Sequence, residues 1–285
     1  MRNLLVFTKA RISLLAGFSA ATGYLLSPGR SSGDLFLLFA GVVILAGGSS
    51  ALNQWQEWRT DALMERTRNR PIPRKAYSPD HGFLVAAVFL LLGISLVQIV
   101  SAGAATALGA LAVLWYNGVY TPLKRVTAFA AVPGGLVGAI PPAIGFVTGG
   151  GALGDPRILG VAAVLFIWQI PHFWLLLLRF GPDYEQAGFP TLTQALGENG
   201  VKRVTVTWLF ATVAFMFALP LFGVVPAGYL LVSVSPVAIW LLVRAWKLLR
   251  ETEEMSAKLG GQAFHAINLL LLVLMGSLSL SRWLS

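Results

Sequence analysis

The chain has 285 residues, of which 56% are hydrophobic and only 12% are charged. This composition excludes a soluble globular domain, in which about a quarter of the residues carry charge. The chain contains no cysteine, which excludes disulfide bonds, thiolate metal sites and covalent haem attachment. A formal net charge of +9 is compatible with a nucleic-acid partner or with an uneven distribution of basic residues across a membrane.

Apolar segments of about 20 residues recur along the chain, and each is long enough to cross a hydrocarbon core of about 30 Å. We therefore predict an all-α membrane protein with nine transmembrane helices in a single polytopic domain, residues 1–285. The predicted helices are 12–28, 35–55, 83–101, 103–121, 127–148, 157–179, 204–224, 226–246 and 262–281.

The basic residues lie almost entirely on one side of this predicted topology. With three exceptions, all Lys and Arg residues lie at the N-terminus or near the ends of the second, fourth, sixth and eighth helices. The N-terminal group includes Lys9. The exceptions are Arg30, Arg157 and Arg282. The positive-inside rule then predicts a cytoplasmic N-terminus and an external C-terminus, and it explains the net charge without a nucleic acid.

A row of polar residues follows the second apolar segment, in the sequence NQWQEWRTDALMERTRNRPIP. Asn53, Glu57 and Asp61 recur every four residues, so in a helix they share one face. Oxygen ligands on one face suit Mg²⁺, which proteins bind through one or two carboxylates and substrate phosphates. Three arginines, whose planar groups match phosphate geometry, follow at once: Arg66, Arg68 and Arg70. The alternative is a solvated loop whose acids and bases pair.

Two further polar segments are candidates for the same chemistry. Asp183 and Glu185 lie in RFGPDYEQAGFPTLT, which we predict to be an acidic loop able to reach a second metal ion. The alternative is a solvated turn after the Gly-Pro pair. Lys124 and Arg125 end the fourth predicted helix, where they would either reach a diphosphate or form the basic flank of a membrane helix.

One histidine lies inside a predicted membrane helix. His172 belongs to WQIPHF, and an imidazole at membrane depth is costly unless it has a function or a polar partner. A neutral imidazole there could ligate haem iron, donate a hydrogen bond or act as a base. The alternative is a polar contact beside Pro171.

These segments together resemble the UbiA superfamily of intramembrane prenyltransferases, over most of the chain. The resemblance rests on FTKARISLLAGFSAATGYLL, the acid-and-arginine segment, YTPLKR, GAIPPAIG, WQIPHF and DYEQAGFPTL. WQIPHF is similar to the haem-modifying branch of that superfamily rather than to its quinone or chlorophyll branches. The chain departs from the usual pattern at Pro182, where the second acidic motif commonly has an aspartate.

The resemblance implies nine helices around a central cavity in a bacterial inner membrane. It implies Mg²⁺-dependent transfer of farnesyl from farnesyl diphosphate to a vinyl group of haem B, which gives haem O for haem–copper terminal oxidases. Contact with haem A synthase or with terminal oxidase assembly would follow. By position, the implied metal-binding and catalytic residues are Asn53, Glu57, Asp61 and Asp183. The implied diphosphate-binding residues are Arg66, Arg70, Lys124 and Arg125, and His172 is the implied haem-side residue.

Two alternatives share part of this pattern. A related prenyltransferase that acts on a quinone precursor or another aromatic acceptor would keep the first acidic motif but would not need His172. A non-enzymatic haem or lipid transporter would explain the helices and the inward basic charge, but it would not need a row of acids suited to a metal.

Overall fold

The protein is all-helical in a computed structural model that describes residues 1–29, 32–101, 103–250 and 253–283. The helices are α1 (Arg2–Phe7), α2 (Ala10–Leu26), α3 (Ser32–Asp61), α4 (Pro79–Val100), α5 (Ala104–Leu114), α6 (Thr121–Leu123), α7 (Ala131–Gly134), α8 (Leu136–Thr148), α9 (Pro156–Gln186), α10 (Leu192–Phe217), α11 (Ala227–Leu248) and α12 (Glu253–Trp283). A π-helical turn, Trp115–Tyr120, joins α5 to α6, and a 3₁₀ turn, Leu219–Phe222, precedes α11.

Within the described ranges, seven helical segments are long and apolar enough to cross a membrane. They are formed by α3, α4, α7 with α8, α9, α10, α11 and α12, so the chain is an integral membrane protein. The first predicted helix corresponds to α2, which has only 17 residues. The fourth is divided, because α5 ends after 11 residues and passes into the π-helical turn. Arg30, one of the three basic residues predicted to be external, lies outside the described residues.

The apolar core has two main parts, each formed by neighbouring helices. Helices α9 to α12 pack around buried residues such as Leu165, Leu209 and Leu241. Helices α2 to α5 and α8 pack around residues such as Val42 and Val97. The large apolar side chains that remain exposed carry no solvation cost in a bilayer, since lipid rather than water surrounds them.

Glycines allow α2 and α8 to cross at backbone contact. A Cβ atom on Gly145 would lie 1.8 Å from the carbonyl oxygen of Ala20, and one on Gly23 would lie 1.9 Å from that of Pro142. Because the atoms in the way are backbone, no side-chain rotation could relieve either clash. Close approach through small residues is a common way for membrane helices to associate.

We expect Gly145→Ala to lower the free energy of unfolding by about 1–3 kcal/mol, the usual cost of overpacking a close-packed contact. Thermal unfolding of the purified protein in detergent would measure the change. Gly276→Ala in α12 is the matched control, because nothing lies within 4 Å of the added Cβ there. An unfolding temperature for Gly145→Ala equal to that of the control would contradict the tight crossing.

The segment between α3 and α4 is held in place by a small apolar cluster. Ile72 is buried with Phe7 from α1 and Ala86 from α4. At the start of α4, Ser78 accepts a hydrogen bond from the backbone N–H of His81 at 3.1 Å. Residues 62–78 therefore lie close to the end of α3, where Arg70 contacts Asp61.

Candidate active site

The predicted row of Asn53, Glu57 and Asp61 lies in the last turns of α3, whose final residue is Asp61. The three residues are only 1%, 4% and 1% exposed. The Asn53 amide Nδ2 donates to Glu57 Oε2 at 3.0 Å, as expected for side chains four residues apart on a helix. The polar face therefore lies inside the protein rather than towards lipid.

Two basic side chains neutralise the two carboxylates. Lys124 Nζ lies 2.6 Å from Glu57 Oε2, and the Arg70 guanidinium donates to both oxygens of Asp61, at 2.8 and 2.6 Å. Lys124 and Arg70 are themselves mostly buried, with side chains 20% and 17% exposed. Removing one partner of such a buried pair typically costs about 3–5 kcal/mol, since the other charge is left without compensation.

Lys9 is a third basic residue of this site, which the sequence indicated only as part of the basic N-terminus. Its backbone has a positive φ of 45°, unusual for a residue with a side chain, at the junction of α1 and α2. Its Nζ donates to Asn53 Oδ1 at 3.2 Å and to the Tyr116 hydroxyl at 3.1 Å. Burial, reinforced by Arg70 and Lys124, lowers the pKa of Lys9 from 10.5 to about 7.

The π-helical turn Trp115–Tyr120 brings polar groups against the acid row. Asn53 Nδ2 donates to the hydroxyl of Thr121 at 3.0 Å, immediately after this turn. Within the turn, Asn117 Nδ2 donates to Ser49 Oγ at 2.6 Å. Short π-helical turns are often found at functional sites, because the extra residue displaces side chains from a regular helical face.

The second acidic segment is helical rather than a loop, so that part of the sequence prediction was wrong. Asp183 and Glu185 lie in the final turns of α9, and Pro182 lies inside this helix. The Gly-Pro pair suggested a helix end, but α9 continues through Pro182 to Gln186 at the loss of a backbone hydrogen bond. Glu185 Oε1 accepts a hydrogen bond from the hydroxyl of Thr191 at 2.6 Å.

Asp183 contacts the segment that follows the first acidic row. Its Oδ2 accepts from the backbone N–H of Arg66 at 3.2 Å. The Arg66 guanidinium donates to the Tyr184 hydroxyl at 3.0 Å and lies over the ring of Phe180, 5.4 Å from its centroid. Residues 62–78 thus connect the two motifs, because Arg70 contacts the end of α3 and Arg66 contacts the end of α9.

Two of the candidate basic residues lie apart from the acid row. Arg125 is exposed and donates to the backbone carbonyl of Gln56 at 3.3 Å. Arg68 is exposed and lies 3.7 Å from Glu65 on the surface. The sequence did not indicate that these two side chains lie away from the acid row, because neighbouring residues on a helix or turn point in different directions.

His172 lies in α9 among aromatic side chains. Its ring centroid is 4.7 Å from that of Trp168 and 4.8 Å from that of Phe264, and its side chain hydrogen-bonds to Asn268. The Nδ1 atom is buried and has no hydrogen-bond partner among the residues that the structure describes. A buried imidazole nitrogen without a partner is available to an additional ligand.

A row of stacked rings connects His172 with the acid row. The ring of its neighbour Phe173 stacks on Tyr120 with centroids 5.9 Å apart, and Tyr120 stacks on Tyr116 with centroids 5.7 Å apart. The hydroxyl of Tyr116 then donates to Asn53 Oδ1 at 3.2 Å. The polar site and the histidine therefore belong to one continuous region lined by aromatic rings.

The donor atoms of the acid row fit Mg²⁺. Asn53, Glu57 and Asp61 offer amide and carboxylate oxygens, which this cation prefers. Glu57 Oε1 is buried, and no residue of the described chain donates a hydrogen bond to it. The described residues contain no group of three or more His, Cys, Asp or Glu side chains arranged to hold a metal. Accordingly, only two carboxylates would contribute from α3, and substrate phosphates would complete the coordination.

Residues 12–270 of the chain match the UbiA prenyltransferase family. The chain belongs to this family. It is similar to a protoheme IX farnesyltransferase of Geobacter sulfurreducens, with 44% identity over 223 residues that cover 78% of this chain and 82% of the relative. Membership of the UbiA family agrees with the helical membrane architecture of the chain.

Solved structures of UbiA homologues have the same fold. The apo structure of a homologue from Aeropyrum pernix K1 has a TM-score of 0.72 at 20% identity, covering 93% of this chain and 98% of that one. A homologue from Archaeoglobus fulgidus bound to DMAPP and Mg²⁺ has a TM-score of 0.66 at 15% identity, covering 97% and 99%. At these identities the likeness concerns the fold alone.

Proposed function

We propose that this UbiA prenyltransferase is a protoheme IX farnesyltransferase, which transfers farnesyl from farnesyl diphosphate to a vinyl group of haem B and so produces haem O. The observation that carries the proposal is the buried acid row of α3 with Lys124 and Arg70 each 2.6 Å from one of its carboxylates. The name of the Geobacter relative supports haem B and farnesyl diphosphate as substrates.

The residues of the site divide into three groups by what they would bind. Asn53, Glu57 and Asp61 would hold Mg²⁺, with Asp183 contributing from α9. The diphosphate would be bound by Arg66, Arg70 and Lys124. His172 would contact haem B, because its unpartnered nitrogen lies in an aromatic region suited to a porphyrin ring. The Mg²⁺-bound homologue from Archaeoglobus fulgidus supports Mg²⁺ as the cofactor.

The chain's own residues would assist departure of the diphosphate and protect the farnesyl group from water. Mg²⁺, when bound, supplies positive charge to the leaving diphosphate. Lys124 and Arg70 would donate hydrogen bonds to the phosphate oxygens as charge develops there. The rings of Tyr116, Tyr120 and Phe173 would exclude water from the allylic carbon until the vinyl group attacks. A water molecule then supplies the hydroxyl group of the product and releases a proton.

The same proposal includes the membrane arrangement. A single domain of nine transmembrane helices around a central cavity would result if α2 and the segment from α5 to α6 also cross the bilayer. The N-terminus would be cytoplasmic in a bacterial inner membrane. This orientation is supported by the contacts of Lys9 with Asn53, of Lys124 with Glu57 and of Arg66 with Asp183, because they place basic residues from separate segments on one side of the protein.

Competition between acceptors tests the proposed substrate. Purified protein with Mg²⁺ and farnesyl diphosphate would be given haem B, 4-hydroxybenzoate or no acceptor, and products would be separated by liquid chromatography and weighed by mass spectrometry. We expect a farnesylated, hydrated haem and no farnesylated benzoate. Prenylation of the benzoate in preference to haem would favour an aromatic acceptor, and no product with either would favour a transporter.

We expect His172→Ala to weaken haem binding about tenfold or more while leaving farnesyl diphosphate binding close to that of the unchanged protein. The reason is that His172 lies in the aromatic region, separated from the charged residues by Phe173 and Tyr120. Haem titration followed by absorbance, and calorimetry with farnesyl diphosphate and Mg²⁺, measure the two affinities. His265→Ala, which alters an exposed histidine of α12, is the control. Weakened diphosphate binding with unchanged haem binding would contradict this placement.

A further inference from the structure

The carboxylates proposed to hold Mg²⁺ are already occupied by the protein's own cations. Lys124 lies 2.6 Å from Glu57, and Arg70 lies within 2.8 Å of both oxygens of Asp61. Each acid is therefore electrically compensated, and both pairs are largely enclosed by protein. A divalent cation that arrived alone would have to bind beside two positive charges that are already paired with the same carboxylates.

We propose that Mg²⁺ and the diphosphate bind this site only together, because the diphosphate is needed to take Arg70 and Lys124 from the two carboxylates. This inference rests on the proposed function, and it concerns how the site is filled rather than what it produces. Arg70 and Lys124 act as internal counter-ions that keep free Mg²⁺ out. When the diphosphate enters, they leave the carboxylates and bind its phosphate oxygens.

Charge balance explains why neither ion should bind well alone. The two ion pairs sum to zero, so Mg²⁺ without an anion would leave two uncompensated positive charges in a buried site. A diphosphate without Mg²⁺ would face Glu57 and Asp61, and its negative charges would repel both carboxylates. When the two ligands bind together, their charges nearly cancel.

The geometry supports the transfer of partners. Glu57 binds Lys124 through Oε2, while its buried Oε1 has no hydrogen-bond donor among the described residues and is free to accept a cation. Asn53 Oδ1 accepts hydrogen bonds from Lys9 and from Tyr116, both at 3.2 Å. Because these hydrogen bonds are long, a cation bound to Oδ1 can replace them at low cost. The flexible stem of a lysine allows the ammonium group of Lys124 to move to a phosphate oxygen.

Retention of radioactive Mn²⁺, as a substitute for Mg²⁺, tests the proposal without measuring catalysis. Purified protein in detergent would be passed through an ultrafiltration membrane that retains protein but not Mn²⁺ or its complex with inorganic diphosphate. We expect little retained Mn²⁺ without diphosphate and about one ion per protein with it, an apparent affinity increased about a hundredfold or more. By linkage, Mn²⁺ must increase the retention of radioactive diphosphate by the same factor.

Three variants make the prediction specific. Lys124→Met removes the counter-ion of Glu57, so retention of Mn²⁺ without diphosphate should rise about tenfold, while the enhancement by diphosphate should fall. Lys124→Arg keeps the charge and should leave retention of Mn²⁺ alone as low as in the unchanged protein. Arg59→Met is the control, because Arg59 lies on the exposed side of the same helix, over the ring of Trp58.

Tight retention of Mn²⁺ by the unchanged protein without diphosphate would overturn the proposal. The proposal would also be overturned if Lys124→Met, shown to be folded by size-exclusion chromatography, retained the same amount of Mn²⁺ without diphosphate as the unchanged protein, or less. Both outcomes are distinguishable from failure of the proposed function. If the proposal on ion binding fails, the unchanged protein can still produce haem O. If the ions bind together but no haem product forms, this inference is kept and haem B is rejected as the acceptor.

Discussion

Asp61→Asn is expected to reduce farnesyl transfer by roughly 10³-fold, comparable with the loss of a central electrostatic group in other enzymes. Asp61 ends the acid row and is 1% exposed, and its carboxylate binds Arg70 through both oxygens. Asparagine preserves the shape but removes the negative charge that would bind Mg²⁺ and orient Arg70. Haem O formation by membranes that contain equal amounts of each protein is the measurement.

Asp80→Asn is the matched control for this variant. Asp80 is an exposed acid in the first turn of α4, so its replacement removes one charge on the same side of the protein without touching the site. The same elution volume for both variants in size-exclusion chromatography would establish that the protein remains folded. Near-normal haem O formation by Asp61→Asn would show that the acid row is not the metal site.

Asp183→Ala is expected to be nearly as damaging as Asp61→Asn, and Glu185→Ala much milder. Asp183 faces the first motif by accepting the backbone N–H of Arg66, whereas Glu185 faces away towards Thr191 at the start of α10. With Pro182 in place of the usual aspartate, Asp183 is the main carboxylate of the second motif. We expect turnover to fall by roughly 10²- to 10³-fold for Asp183→Ala and by less than about tenfold for Glu185→Ala.

Activity measured against Mg²⁺ concentration separates a metal-binding role from a structural one for Asp183. A metal-binding carboxylate, when lost, should raise the Mg²⁺ concentration needed for half-maximal activity. Pro182→Asp, which adds a carboxylate beside it, should lower that concentration. Full activity of Asp183→Ala at low Mg²⁺ would show that the second motif does not bind metal, and that α3 and its basic partners suffice.

The sequence predicted the helical part of the site well, because local spacing determines it. Asn53, Glu57 and Asp61 are four residues apart, and an α-helix places such residues on one face wherever it runs. The apolar segment before them predicted a helix, and the structure extends it to Asp61. The seven long apolar segments were likewise visible as runs of hydrophobic residues.

The parts that the sequence did not predict depend on contacts between distant segments. Lys9 reaches Asn53 across 44 positions of the chain, from a backbone conformation that no residue pattern indicates. Arg125 and Lys124 are adjacent, yet only Lys124 points at the acid row, because the end of α6 sets their directions. Asp183 lies in a helix because α9 continues through Pro182, which no local residue pattern indicates.

The most direct test of the proposed function is the mass of the product made by purified protein from haem B and farnesyl diphosphate, with Mg²⁺ present or removed by a chelator. We expect haem O, identified by the added farnesyl and hydroxyl groups, only when Mg²⁺ is present and only when Asp61 is intact. Equal amounts of haem O from the Asp61→Asn variant, or from the chelated protein, would contradict it.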